Sequence, residues 1–118
     1  MGFTNAKIGL QSLGGGLRQD VELLVDTDAL YSIVPATILR ALRIEPTQRL
    51  EFEVADGRGM LRSVGEARFF FDGRNAVSNV IFGEENDAAV LGVVTLEQLG
   101  LEVDPARKEI RPARLILY

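Results

Sequence analysis

The sequence predicts a mostly β domain, built from many short strands with one or two short helices between them. Three observations predict it. Leu50, Phe52 and Val54 alternate with Glu51, Glu53 and Ala55, the period-two pattern of a strand with one buried face. The apolar runs elsewhere are short, as in Leu23 to Val25, Phe69 to Phe71 and Ala88 to Leu91. The breaks between them carry turn residues: Gly14-Gly15-Gly16, Asp56-Gly57 and Asp72-Gly73.

Taken in order, Phe3 to Gln11 alternates weakly through Phe3, Ile8 and Leu10 and reads as a first strand, ended by the glycine triplet. Val21 to Val25 is the next strand, and it delivers the turn Asp26-Thr27-Asp28. Leu30 to Val34 is a third short strand. Pro35 to Leu42 reads as a helix, because proline suits a first helical position and Ile38, Leu39 and Leu42 share a face. The alternating strand through Val54 turns at Asp56-Gly57, and Met60 to Phe71 returns as its hairpin partner. Asp72-Gly73 makes a second turn into Val77, Val80, Ile81 and Phe82. Ala88 to Gly92 is an apolar run ending in glycine. Val93 to Leu99 has helical spacing, with Val93, Leu96 and Leu99 on one side and Gly100 placed to end it. Leu101 to Pro105 is a short strand into a turn. Glu109 to Tyr118 closes the sequence, with Arg114 to Tyr118 as an apolar terminal strand.

Composition bounds the function. The 118 residues make one domain, 1–118, and 47% apolar with 25% charged residues is a globular balance. A net charge of −4 with scattered arginines gives no footprint for nucleic acid. No apolar run approaches the ~20 residues that span a bilayer, so no membrane partner is expected. Met1 to Lys7 lacks the order of a signal peptide, and Ala6 stands where a myristoylation motif at Gly2 wants Ser or Thr; a cytoplasmic location is expected. The sequence has neither cysteine nor histidine. Thiolate nucleophiles, zinc–sulfur sites and the Ser-His-Asp triad are therefore excluded, and acid–base chemistry near neutral pH falls to carboxylates. That singles out Asp26 and Asp28, which stand on a polar turn between two apolar runs. On its own, Asp26 also reads as an ordinary turn aspartate.

With those residues in view, the chain resembles the retropepsin-like aspartic peptidases. The first mark is Leu23-Leu24-Val25-Asp26-Thr27-Asp28-Ala29, followed by Leu30-Tyr31-Ser32-Ile33-Val34-Pro35. The second is Val90-Leu91-Gly92 leading into Val93 to Pro105. Between them lies a hairpin, Phe52 to Phe71, whose turn holds Asp56, Gly57, Arg58 and Gly59. The resemblance spans roughly Phe3 to Pro112 and implies a closed β-barrel half-domain working as a homodimer. In such enzymes two aspartates share a proton and activate a water for endoproteolysis, without metal or cofactor. One turn per chain implies that Asp26 meets Asp26 of a second copy, with peptide or protein as substrate and the hairpin as flap. The resemblance makes Thr27, Ala29, Leu91 and Gly92 supporting residues. Asp28 replaces the motif's glycine, which leaves open a catalytically impaired member acting as a peptide-binding or dimerisation module. A Mg²⁺-dependent Asp-x-Asp phosphatase is a further reading of Asp26 and Asp28. It needs a downstream lysine and a late acidic pair, and the sequence offers only Lys7 and Lys108 and no such pair.

Overall fold

A computed structural model describes residues 4–118; the readings placed on Gly2 and Phe3 lie outside the described residues. Strands occupy 56% of the described chain and helices 10%, so the β class is met. The elements are β1 Asn5–Ser12, β2 Gly15–Val25, β3 Ser32–Pro35, α1 Ala36–Ala41, β4 Pro46–Glu53, β5 Gly59–Phe71, β6 Arg74–Gly83, β7 Val90–Leu91, α2 Val93–Gln98, β8 Leu101–Asp104 and β9 Glu109–Pro112.

The first seven strands form one sheet in the order β1-β2-β7-β3-β6-β5-β4, and β8 pairs with β9 in a separate ribbon. β1 also pairs antiparallel with β5, through Gly9–Phe70, Leu10–Phe69 and Gln11–Arg68. The pairings therefore run in a circuit from β1 through β2, β7, β3, β6 and β5 back to β1, with β4 attached outside it. The two predicted Asp-Gly turns take different forms. Asp72 and Gly73 both have positive φ, at 48° and 80°, as a two-residue turn between Phe71 and Arg74 requires. At the other, Gly57 N–H donates to the Val54 carbonyl and Val54 N–H to that of Arg58, with Gly57 alone at positive φ. That is the longer hairpin loop with a glycine bulge.

One large core fills the interior. Ile8, Leu10, Leu23, Val34, Leu39, Val64, Phe69, Val80 and Leu91 are fully buried, and Leu42, Leu96 and Leu99 add the inner faces of the two helices. Complete burial of a leucine such as Leu91 stabilises the fold by about 1.5–3 kcal/mol. Of the triple phenylalanine, Phe69 belongs to the core and Phe71 packs against it. Phe70 faces outward, with the Arg18 guanidinium stacked 3.8 Å from its ring centre. Gly9 leaves the room for that stack, since a Cβ there would lie 2.7 Å from Arg18 Nε.

Several boundaries differ from expectation. β2 begins at Gly15 rather than Val21, because Arg18 to Asp20 pair with β1 while remaining exposed and so carry no burial pattern. β4 begins at Pro46 for the same reason, and β6 begins at Arg74, where polar Arg74 and Asn75 pair with β5 without an apolar signal. β3 begins at Ser32, leaving Leu30 in the preceding loop at 57% exposure. Pro35 is the last residue of β3 and the N-cap of α1 rather than its first helical residue. The expected terminal strand Arg114 to Tyr118 has no strand partner, and the last strand stops at Pro112. Among the described residues, no neighbouring strand edge takes up its backbone, and its apolar side chains stay exposed.

Candidate functional site

β7 contains only Val90 and Leu91, yet it occupies the centre of the sheet. It pairs parallel with the end of β2, through Leu24–Val90 and Val25–Leu91, and antiparallel with β3, through Ile33–Val90. Consecutive strands β2 and β3 are thus separated by a third. The connection between them, residues 26–31, has to arch over the C-terminal end of β7, where Gly92 lies. That arch carries Asp26, Thr27, Asp28 and Ala29.

The arch is bonded to what lies beneath it. Asp26 N–H donates to the Leu91 carbonyl at 3.1 Å, and Ala29 N–H closes a turn onto the Asp26 carbonyl at 3.2 Å. From the other side, Val93 and Val94 donate their N–H groups to the carbonyls of Ala29 and Leu30, at 2.8 and 3.0 Å. These two donors lie in the first turn of α2, where backbone N–H groups have no partner within the helix. Gly92, the N-cap, has no side chain to supply one, so the arch caps the helix with its own carbonyls.

Gly92 is needed for space. Its φ of −88° is open to any residue, but a Cβ would lie 2.5 Å from the Tyr31 carbonyl carbon and 2.9 Å from the Leu30 oxygen. Beneath the arch Ser32, Ser78 and Thr95 form a buried hydroxyl cluster. Gly92 N–H donates to Ser32 Oγ at 2.9 Å, and Ser32 Oγ lies 2.6 Å from Thr95 Oγ1, itself 3.0 Å from Ser78 Oγ. Among the described residues, no buried side-chain polar atom lacks a partner.

On the arch, Asp26 is half-buried and Thr27 and Asp28 are exposed. Asp28 N–H donates to Asp26 Oδ1 at 2.9 Å, which sets the orientation of that carboxylate. Asp28 has no positive φ, so aspartate occupies the position without backbone strain. Tyr31 ends the arch with its ring edge against Phe52 of β4, centroids 6.2 Å apart. This contact joins the arch to the β4–β5 hairpin.

The hairpin tip, Asp56 to Gly59, is exposed, and no hydrogen bond joins it to the arch among the described residues. Arg58 donates to Asp56 through both its backbone N–H and Nε, an exposed pair that orders the tip and adds little stability. Further down the hairpin, Arg62 of β5 forms a two-pronged pair with Asp87 in the loop before β7, at 2.7 and 2.8 Å. The hydrogen bond from Arg62 holds the Asp87 carboxyl below the usual carboxylate range against the opposing effect of burial; the Glu84 N–H and the Arg62 charge act with it. Arg62 in turn holds its proton more firmly. Ile33, Phe52, Val54, Met60 and Ile81 line a small cleft of about 90 Å³ beside this pair.

The structure thus gathers Asp26, Thr27, Asp28 and Ala29 over Leu91 and Gly92, and leaves Asp56 to Gly59 at a separate tip. Sequence reasoning passed over Ser32, Thr95, Arg62 and Asp87. Ser32 and Thr95 do leave a trace, as polar residues at buried positions within otherwise apolar runs. Arg62 and Asp87, 25 residues apart, leave none. No protein-family model matches the chain, and no curated protein matches it in sequence.

Proposed function

We propose that the chain is one half of an aspartic endopeptidase of retropepsin-like architecture, completed by a second copy. One observation carries this reading: a half-buried Asp26, oriented through its own side chain, stands on an arch bonded to Leu91 and to the first turn of α2. A carboxylate that works on a water needs this kind of immobilisation. The circuit of pairings through β1 and β5 supports the closed-barrel form, and the β4–β5 hairpin, touching the arch at Tyr31, supports a flap.

In the assembled dimer two Asp26 carboxyl groups face each other and share one proton, because like charges about 3 Å apart do not both ionise. The ionised partner takes a proton from water as its oxygen attacks the peptide carbonyl carbon. The protonated partner hydrogen-bonds the carbonyl oxygen as it becomes tetrahedral, and the nitrogen leaves with a proton returned from the dyad. The peptide lies extended, held by strand-like backbone bonds.

The exposed Asp28 favours a second reading, a peptide-binding or dimerisation module of the same fold in which the added carboxylates suppress chemistry. The two are separated by peptide hydrolysis from pH 3 to 8 with wild type, Asp26→Asn and Asp28→Gly. Cleavage by wild type that disappears in Asp26→Asn is the expected result. Cleavage that persists in Asp26→Asn removes the assignment, and cleavage by Asp28→Gly alone selects the module. The α/β architecture that a phosphatase requires is not present among the described residues, where helices amount to α1 and α2.

A further inference from the structure

We infer that Thr95 is a positioning residue for the Asp26 arch, acting through a chain of buried hydroxyls; this rests on the reading of Asp26 as catalytic. Ser32, Thr95 and Ser78 belong to β3, α2 and β6, and their exposures are 0%, 0% and 4%. Each hydroxyl has one proton to give. The Asn79 carbonyl, 3.4 Å from Ser78 Oγ, is an acceptor at the far end of the chain, and the order that uses all three protons has Ser78 donate to it and accept on its Thr95 side. Thr95 therefore donates to Ser78 and accepts from Ser32. Ser32, its proton committed to Thr95, presents a lone pair to the Gly92 N–H.

The chain ends where the arch is held. Gly92 lies between the Leu91 carbonyl, which takes the Asp26 N–H, and the Val93 and Val94 amides, which hold Ala29 and Leu30. A valine at 95 would fill nearly the same space but give Ser32 no acceptor. The Ser32 hydroxyl would then turn to find one, and Gly92 N–H would lose its partner or pull the arch with it. Side chains on three elements thus set one backbone amide under Asp26. None of the three touches the reacting atoms.

The test uses Thr95→Val and Thr95→Ser in the full chain, with Asp26→Asn as the control for chemistry. Two quantities are measured: hydrogen exchange of the Gly92 amide by NMR, and kcat and KM on a peptide that wild type cleaves. In Thr95→Val the Gly92 amide is expected to exchange about tenfold faster or more, while amides of β1 and β5 keep their protection. Its kcat is expected to fall about tenfold or more with KM within about twofold, as for a misplaced reacting group. Thr95→Ser is expected to stay near wild type in both. A folded Thr95→Val with unchanged Gly92 exchange overturns the inference, and so does a Thr95→Ser as impaired as the valine variant. If Thr95→Val does not fold, Ser78→Ala takes its place, with a smaller change in the same direction expected and no change at Gly92 overturning the inference. If wild type shows no Asp26-dependent cleavage, the peptidase reading fails separately, and Gly92 exchange alone decides whether the chain sets the arch.

Discussion

Position 92 shows how one side chain's absence holds a site together. The arch from Asp26 to Tyr31 crosses β7 so closely that even a methyl group there would collide with the backbone of Tyr31 and Leu30. The atoms it would meet are backbone atoms, and the Leu30 oxygen among them already accepts from Val94 of α2, so they cannot swing aside as a long side chain can. Gly92→Ala should therefore cost about 1–3 kcal/mol, the range for overpacking, measured as a lower urea midpoint with unchanged slope. Asp26-dependent cleavage should fall with it. An unchanged midpoint would mean that the arch has slack. The glycine was legible in the sequence as the end of an apolar run, but its reason was not: the topology that lays residues 26–31 across β7 depends on pairings 66 residues apart in sequence (Leu24–Val90) and 57 apart (Ile33–Val90). Position 28 is the reverse case. Glycine was expected there for its backbone freedom or its small size, and the backbone at Asp28 needs no such freedom. What remains at that position is the space the side chain takes and the chemistry of an added carboxylate beside Asp26.

Among the elements, the β4–β5 hairpin was the most legible, since its inner face alternates and its turn carries Asp56-Gly57. Its attachment was not. Arg62 and Asp87 pair with side-chain exposures of 11% and 20%, joining β5 to the loop before β7. Asp87 also accepts the Glu84 N–H at 2.8 Å, so one carboxylate organises the loop and anchors the hairpin. Because its pKa is lowered in the folded chain, chiefly by the Arg62 hydrogen bond, this contribution is fully present above the unfolded carboxylate pKa. It is lost as pH falls through the lower folded value. Asp87→Asn keeps one acceptor for Arg62 but loses the charge and the second prong, and should thus destabilise the chain by about 0.5–1.5 kcal/mol at pH 7. The gap between wild type and variant should close as pH falls below about 4, the ordinary aspartate range. Urea midpoints of both proteins at pH 7, 5 and 3 measure it, and a gap that stays constant with pH would mean that the charge of Asp87 is not what anchors the hairpin.

For the whole molecule the question is what covers the tail. Leu115, Ile116, Leu117 and Tyr118 follow β9 with 70%, 89%, 87% and 105% exposure, tied back at their base, where Ala113 N–H donates to the Gly100 carbonyl. The sequence marked this run as strand-like, and its pattern is that of a strand. Strand structure needs an edge to pair with, and in the proposed dimer a second copy would supply one. A stable two-fold interface buries about 800 Å² on each partner, more than a run of this length offers alone. The exposed Leu30 beside Asp26 is suited to contribute, which would bring the two arches toward each other. The double variant Ile116→Asp, Leu117→Asp places like charges in that interface while leaving the arch, β7 and α2 untouched. Sedimentation equilibrium should show wild type as a dimer at micromolar concentration and the variant as a monomer with the same circular dichroism. The variant should also lose Asp26-dependent cleavage, because a monomer retains an intact arch but only one Asp26. A monomeric variant that still cleaves through Asp26 would reject the two-chain site and leave the chemistry to the carboxylates of a single arch.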